Sequence, residues 1–184
     1  MIRAILALFL LPLAASAAPE TWRGEALASF AGTSTLHDWS GKAPAKPFSA
    51  TVDAADPRSP HIVAVLQVAV AGMDTDDEGR DENLRKAMRV DEHPLILGKV
   101  AARIPPEVVQ GSSGRVPIVL GLLGRETAIE GMIENWRESG KEVSFDCGFD
   151  VSLRTSGIEI PAFLFFIRVG DGIKVRVRVV LTRP

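Results

Sequence analysis

The fold is decided by one stretch near the end of the chain, Ile173-Lys174-Val175-Arg176-Val177-Arg178-Val179-Val180-Leu181, in which apolar and basic residues alternate. Residues 143–153 alternate in the same way, and one face there carries Val143, Phe145, Cys147, Phe149, Val151 and Leu153. A period of two residues predicts extended strands with one apolar face and one polar face. A sheet of such strands either packs on a second sheet or curls around an apolar interior.

The first 17 residues have the pattern of a cleaved secretory signal peptide. Arg3 supplies a positive charge, residues 4–13 are apolar, and Ala15-Ser16-Ala17 is a small-residue cleavage motif. The alternative, an uncleaved membrane anchor, is disfavoured because the apolar run is too short to span a bilayer. We therefore expect cleavage after Ala17, a single domain over residues 18–184, and a periplasmic or secreted location.

The composition disfavours several classes of protein. The net charge of −2 gives no general attraction for nucleic acid. Cys147 is the only cysteine, so no internal disulfide forms, and its place on an apolar face favours a buried hydrophobe over a reactive thiol. His37, His61 and His93 lack metal-ligand spacing, and no nucleophile arrangement stands out. We expect no metal, no cofactor and no catalysis.

Segments of strand character recur along the chain at the spacing of hairpins. They cover residues 21–31, 39–43, 48–53, 62–71, 95–103, 115–123, 127–137, 142–153 and 173–181, with a further short strand considered at Phe163–Ile167. Pro44 and Pro47 interrupt the second and third segments, so the count is about eight strands. The segment 62–71 is almost wholly apolar, which predicts burial on both faces.

A single helix is predicted between residues 75 and 93. Thr75 and Glu78 have the spacing of a capping box, and residues 82–90 are rich in helix formers. Leu84 and Met88 fall on one side and would dock the helix. Because proline disfavours helix just before it, the helix should end near His93-Pro94.

Eight strands at hairpin spacing suggest an antiparallel barrel or sandwich. A barrel spanning an outer membrane would also alternate, but it would carry aromatic girdles at both interfaces. This chain has no tyrosine and three tryptophans, and its last strand contains Arg176 and Arg178. A barrel with an apolar inside and a polar outside therefore fits better.

Several short motifs, in order along the chain, resemble those of the YceI-like family of periplasmic lipid-binding proteins. They are Phe30–Gly41 with its His-Asp-Trp turn, Gly72–Thr75 followed by Arg80–Arg85, Asp91–Ile96, Gly121–Arg125, and Ser156–Pro161. The resemblance implies an all-β, eight-stranded antiparallel lipocalin-like β-barrel with one short helix near the mouth. It also implies that the lumen binds a long-chain isoprenoid or another amphiphilic lipid.

The expected ligand contacts combine this resemblance with the alternation of the strands. The candidate ligand-binding residues are Trp39, Arg80, Asp81, Leu84, Met88, Phe145, Phe149 and Val151. Leu84 and Met88 would touch the ligand at the mouth, and Arg80 or Asp81 would meet its polar head. Alternatively, Arg80 and Asp81 form an ion pair that fixes the helix to the rim. Trp39 would equally serve as a plug for the barrel end.

These observations predict a non-catalytic binding or carrier protein, with a hydrophobic molecule in its lumen and transient contact with a membrane. Two alternatives remain. In one, side chains fill the barrel and its loops dock a partner protein. In the other, the protein is an enzyme that acts on the bound lipid. The oligomeric state is left open by the sequence.

Overall fold

The computed structural model describes residues 18–159 and 169–184, and their strands form one antiparallel sheet that closes on itself. The strands are β1 (Glu20–Gly32), β2 (Trp39–Pro44), β3 (Phe48–Asp53), β4 (His61–Ala69), β5 (Leu95–Arg103), β6 (Gly114–Leu122), β7 (Arg125–Ser139), β8 (Glu142–Ser152) and β9 (Gly172–Thr182). The predicted signal peptide and the strand considered at Phe163–Ile167 lie outside the described residues.

Closure of the barrel depends on β1, which is hydrogen-bonded along both edges. One edge pairs with β9, from Arg23 opposite Thr182 to Ala31 opposite Lys174. The other edge pairs with β3 along its first half and with β2 along its second half. Thus β2 and β3 act as one strand interrupted between the two prolines. This arrangement confirms the predicted closed barrel of eight strands.

Two helices lie at opposite ends of the barrel. Helix α1 (Glu78–Ala87) follows a 3-10 turn at Val70–Gly72 and lies between β4 and β5 in the chain. Helix α2 (Pro106–Val109) is a single turn between β5 and β6, where the sequence pattern predicted neither a strand nor a helix. Its first residue is proline, which suits the first position of a helix because the missing N–H needs no partner there. We call the end of the barrel near α1 the mouth and the other end the closed end.

The capping box predicted for Thr75 and Glu78 is wrong. Asp77 is the N-cap of α1: it has extended backbone angles, and its Oδ1 accepts the backbone N–H of Arg80 at 2.8 Å. The Thr75 hydroxyl instead donates to Asp81 Oδ1 at 2.6 Å. The helix ends at Ala87, and Arg89 beyond it has a positive φ of 46°.

One prediction about burial is also wrong. Strand β4 was expected to be buried on both faces, but Val63 and Val65 are 40% and 43% exposed. The reason is that a barrel has one layer, so the outer face of each strand meets solvent. On the outer face of β8, the Asp146 side chain is only 13% exposed. Its carboxylate accepts hydrogen bonds from Arg178 at 3.3 Å and from Asn135 at 2.8 Å.

Side chains fill the lumen at the closed end. There the Trp136 ring stacks on Phe145, with centroids 5.3 Å apart and an interplanar angle of 15°. The same core contains Trp22, Val52, Ile62, Ile104, Val108, Val143 and Leu181. Val108 brings α2 into this core, because the side chain is fully buried beneath Gly114. Two smaller apolar clusters occupy the mouth end of the lumen.

Within residues 18–159 and 169–184, we find no helix with the length and apolar character needed to cross a membrane.

A candidate ligand-binding cavity

An open space of about 480 Å³ lies inside the barrel at the mouth. Its walls are formed by every second residue along the strands, because these residues point toward the lumen. Among them are Ala28, Phe30, Leu120, Phe149, Val151 and Val175. These side chains are aliphatic or aromatic, so the interior of the cavity offers an apolar environment. A volume of this size is typical of sites for small molecules.

Helix α1 forms one side of the cavity. Leu84, Ala87 and Met88 line it, and Met88 is 6% exposed. No residue from Glu78 to Ala87 is fully buried, and Leu84 is half-buried. The helix therefore rests on the barrel through a narrow apolar stripe that also faces the cavity.

The loop between β1 and β2 contributes a second side of the mouth. Ser34, Leu36, His37 and Trp39 line the cavity there, and Leu36 is 66% exposed. The Trp39 ring meets Phe30 edge-on, with centroids 6.2 Å apart and an interplanar angle of 72°. A Cβ atom at Gly32 would lie 2.5 Å from the indole, so glycine is required for this packing. Trp39 thus closes part of the barrel end and lines the cavity as well.

Polar side chains gather at the rim of the mouth, where Asp77, Arg80, Asn83 and Glu159 line the opening. Arg80 Nη2 lies 3.6 Å from Asp77 Oδ2, and Arg80 Nη1 donates to the carbonyl of Thr75 at 3.4 Å. The Arg80 side chain is 31% exposed, so part of the guanidinium faces solvent. This rim can offer hydrogen bonds to the polar head of a molecule whose tail lies inside.

The alternative ion pair between Arg80 and Asp81 does not form. Asp81 Oδ1 accepts both the backbone N–H of Thr75 at 2.9 Å and its hydroxyl at 2.6 Å. Thr75 is 4% exposed, so this carboxylate satisfies a buried polar residue. Asp81 holds the segment before α1, while Arg80 pairs with the N-cap residue Asp77.

The structure brings six of the eight sequence-predicted residues to the cavity: Trp39, Arg80, Leu84, Met88, Phe149 and Val151. Asp81 is turned toward Thr75. Phe145 faces the lumen deeper in the barrel, where it packs on Trp136 in the filled core. Contact with a ligand remains a prediction for all eight residues.

Sequence reasoning missed several lining residues, namely Ala28, Ala43, Met73, Ile96, Leu120, Leu122, Ile173 and Val175. Alternation along β6 and β9 could have indicated Leu120, Leu122, Ile173 and Val175. The alanines carry no such signal, because their contribution is the space that a larger side chain would occupy. That contribution becomes visible only when opposite strands are placed together.

Cys147 lies on β8 one inward step below Phe149, toward the closed end. The side chain is 7% exposed, and this burial raises the pKa of the thiol from 9.0 to about 11. The thiol is therefore protonated at neutral pH, as expected for a structural cysteine. Among the described residues, we find no group of three or more His, Cys, Asp or Glu side chains that could hold a metal ion.

Solved structures with a fold similar to this closed antiparallel barrel include a YceI protein and a polyisoprenoid binding domain. BcnA from Burkholderia cenocepacia matches with a TM-score of 0.66 and 16% identity, covering 84% of this chain and 95% of that one. A polyisoprenoid binding domain from Saccharophagus degradans matches with a TM-score of 0.65 and 12% identity, covering 88% and 98%.

The YceI protein of Campylobacter jejuni matches with a TM-score of 0.56 and 15% identity, covering 74% of this chain and 81% of that one. No sequence-family model matches the chain, and neither does any curated protein sequence. At these identities the likeness is one of fold. The chain has the YceI fold over most of its length, as the sequence motifs predicted.

Proposed function

We propose that this protein binds or carries an isoprenoid or another amphiphilic lipid, and that it has no catalytic activity. The observation that carries the proposal is the apolar cavity of about 480 Å³ with polar side chains grouped at its rim. An amphiphile has the same division into an apolar tail and a polar head. The fold shared with the polyisoprenoid binding domain from Saccharophagus degradans supports the same ligand class.

The energetics suit a ligand held mainly by its tail. Removing one methylene group from water stabilises a complex by about 0.8 kcal/mol, so a five-carbon isoprene unit contributes at most about 4 kcal/mol. A few enclosed units then suffice for tight binding, after the cost of lost freedom on association. Charged contacts along the tail are unnecessary, which agrees with the apolar walls.

We place this activity in the periplasm or outside the cell. Residues 1–17 support that location through their signal-peptide pattern, with cleavage expected after Ala17. A carrier must also receive its cargo, so we propose transient contact with a membrane. The exposed Leu36 at the mouth is consistent with such contact.

The cavity also bears on the alternative of a filled barrel that docks a partner protein. Side chains fill the closed end, but the mouth end encloses space that a docking module does not need. The cavity therefore favours the carrier over the docking module.

The proposal is tested by native mass spectrometry of the mature protein purified from its own cells, followed by organic extraction. We expect a bound hydrophobic compound that is released by the solvent and is chemically unchanged by incubation with the protein. A protein recovered empty, which also takes up no prenyl alcohol, would contradict the carrier role. Turnover of the extracted compound would indicate an enzyme.

A matched pair of variants tests whether the cavity is the site. Leu84→Asp places a charge on the cavity wall and should abolish retention of the compound while the fold survives. Leu27→Asp makes the same change on the outer face, where the side chain is 42% exposed, and should retain the compound. Equal retention by both variants, with circular dichroism unchanged, would show that the compound binds elsewhere.

A further inference from the structure

The cavity ends partway down the barrel, between two layers of inward-facing residues. The lower lining residues on four strands are Ala28, Leu120, Phe149 and Val175. The next inward residues toward the closed end are Ala26, Ile118, Cys147 and Val177, and these belong to or pack against the filled core. The change from open space to packed core therefore takes place within a single step of the strand alternation.

A close approach over Gly131 helps to form this floor. A Cβ atom at Gly131 would lie 2.5 Å from Ile118 Cδ1 and 2.6 Å from Cys147 Sγ. Both side chains thus occupy the space that a side chain at position 131 would need. Deeper still, the stacked rings of Trp136 and Phe145 belong to the filled core. In the described part of the chain, a tail that enters at the mouth meets packed side chains at this level.

The volume above the floor limits how much tail can be enclosed. At the packing density of a protein interior, about 0.75, the cavity of about 480 Å³ holds atoms with a total volume of about 360 Å³, or roughly four five-carbon isoprene units. A longer tail leaves its remaining units at the mouth, where they bury less apolar surface. Affinity should therefore rise with tail length only until the cavity is full.

We propose that the cavity is closed at its lower end and therefore limits the length of the lipid tail that it encloses, with Ile118 setting the depth of the cavity. This inference rests on the proposed function, since it concerns the tail of the lipid that the cavity would take. It assigns the chain a length preference: tails of about four isoprene units are enclosed, and additional units add little affinity.

The test is a series of prenyl alcohols with two, three, four, six and nine isoprene units, each competing for the mature protein with a fluorescent farnesyl probe. We expect each unit up to the fourth to raise affinity by roughly tenfold or more, and each later unit by less than about threefold. Affinity that rises steeply through nine units would overturn the length limit and leave the lipid-binding function standing. Failure of every alcohol and of the probe to bind would overturn both.

Two variants move the limit in opposite directions. Ile118→Ala lowers the floor, so the plateau should shift from four units to about five. Ala28→Leu adds three carbons inside the cavity, so the plateau should shift from four units to about three, and affinity for the four-unit alcohol should fall at least tenfold. Ala28→Leu also keeps the test open if Ile118→Ala does not fold.

The matched control is Ile62→Ala, which makes the same deletion in the filled core away from the floor. It should leave the plateau at four units, even though it weakens the fold. A plateau that moves equally in Ile118→Ala and Ile62→Ala would mean that general loosening sets the preference, and the assigned role of Ile118 would be wrong.

Discussion

Position along a strand decides which aromatic residues of β8 are free to meet a ligand. Phe145 and Phe149 share the inward face, separated by Cys147. Phe149 lines the cavity, whereas Phe145 stacks on Trp136 in the filled core. Alternation correctly predicts the inward direction of both rings. It gives no depth, because the depth of the cavity depends on residues from other strands, Gly131 and Ile118 among them.

The buried thiol of Cys147 provides a prediction about alkaline pH. Because burial raises its pKa from 9.0 to about 11, the native state disfavours the thiolate. The resulting stability is fully present below pH 9 and is lost as the pH rises through 11, by up to about 3 kcal/mol. Urea unfolding between pH 8 and pH 11 should show a steeper loss of the free energy of unfolding for the wild type than for Cys147→Ala.

All other ionisable side chains are common to both proteins, so their contributions cancel in the comparison. Alkylation gives a second measurement: the native thiol should react slowly at pH 8, and the urea-unfolded thiol should react quickly. Parallel pH profiles for the two proteins, together with rapid native alkylation, would show that the thiol is not buried.

At the scale of elements, the strands follow from the sequence more closely than the helices do. Two-residue alternation and the pair Pro44 and Pro47 correctly predicted the strands and the break between β2 and β3. The start of α1 could not be decided in the same way, because Thr75 and Asp77 are both good capping residues. The Thr75 N–H and hydroxyl both donate to Asp81, so the Thr75 side chain does not cap the helix and Asp77 is the N-cap. Helix α2, at four residues, is too short to show a period.

The stability of helix α1 depends on its N-cap Asp77, because none of the helix residues is fully buried and packing therefore contributes little. Asp77→Ala removes the acceptor for the Arg80 N–H and the partner of the Arg80 guanidinium. We expect a loss of about 1 kcal/mol in the free energy of unfolding, measured by urea titration. Amide exchange should quicken in residues 79–81 before it changes in the strands.

Asp77→Asn is the matched variant for this cap. An asparagine side chain also caps helices well but carries no charge, so most of the stability should return. If both variants lose the same stability, the contribution comes from the charge of Asp77 beside Arg80, and the cap contributes little.

For the whole molecule, the packed core and the cavity lie at opposite ends of the barrel. The filled closed end supplies most of the large side chains that are fully buried, such as Ile104 and Leu181. The mouth end leaves space and takes its cover from a helix with few buried contacts. Alternation predicts the inward residues of both ends equally well, so alternation alone cannot show which end is open.

This separation predicts that a deletion at the closed end weakens the fold and leaves the site intact. Ile104 is 1% exposed in the filled core, and Ile104→Ala should cost 2–5 kcal/mol, estimated roughly from buried aliphatic deletions. Thermal unfolding measures that loss, and retention of the extracted compound at 10 °C should match the wild type. Weaker retention in the folded variant would show that the two ends are coupled.

The pairing of β1 with β9 has a practical consequence for handling the protein. Arg23 lies opposite Thr182, and the Lys141 ammonium donates to the Pro184 carbonyl at 2.7 Å, so the carboxyl terminus sits at the pole farthest from α1. A molecule immobilised on a surface through a tag after Pro184 would present its entrance to the solution. Such a layer could load and release the proposed lipid without detaching, and a dye at that tag would report on neither event.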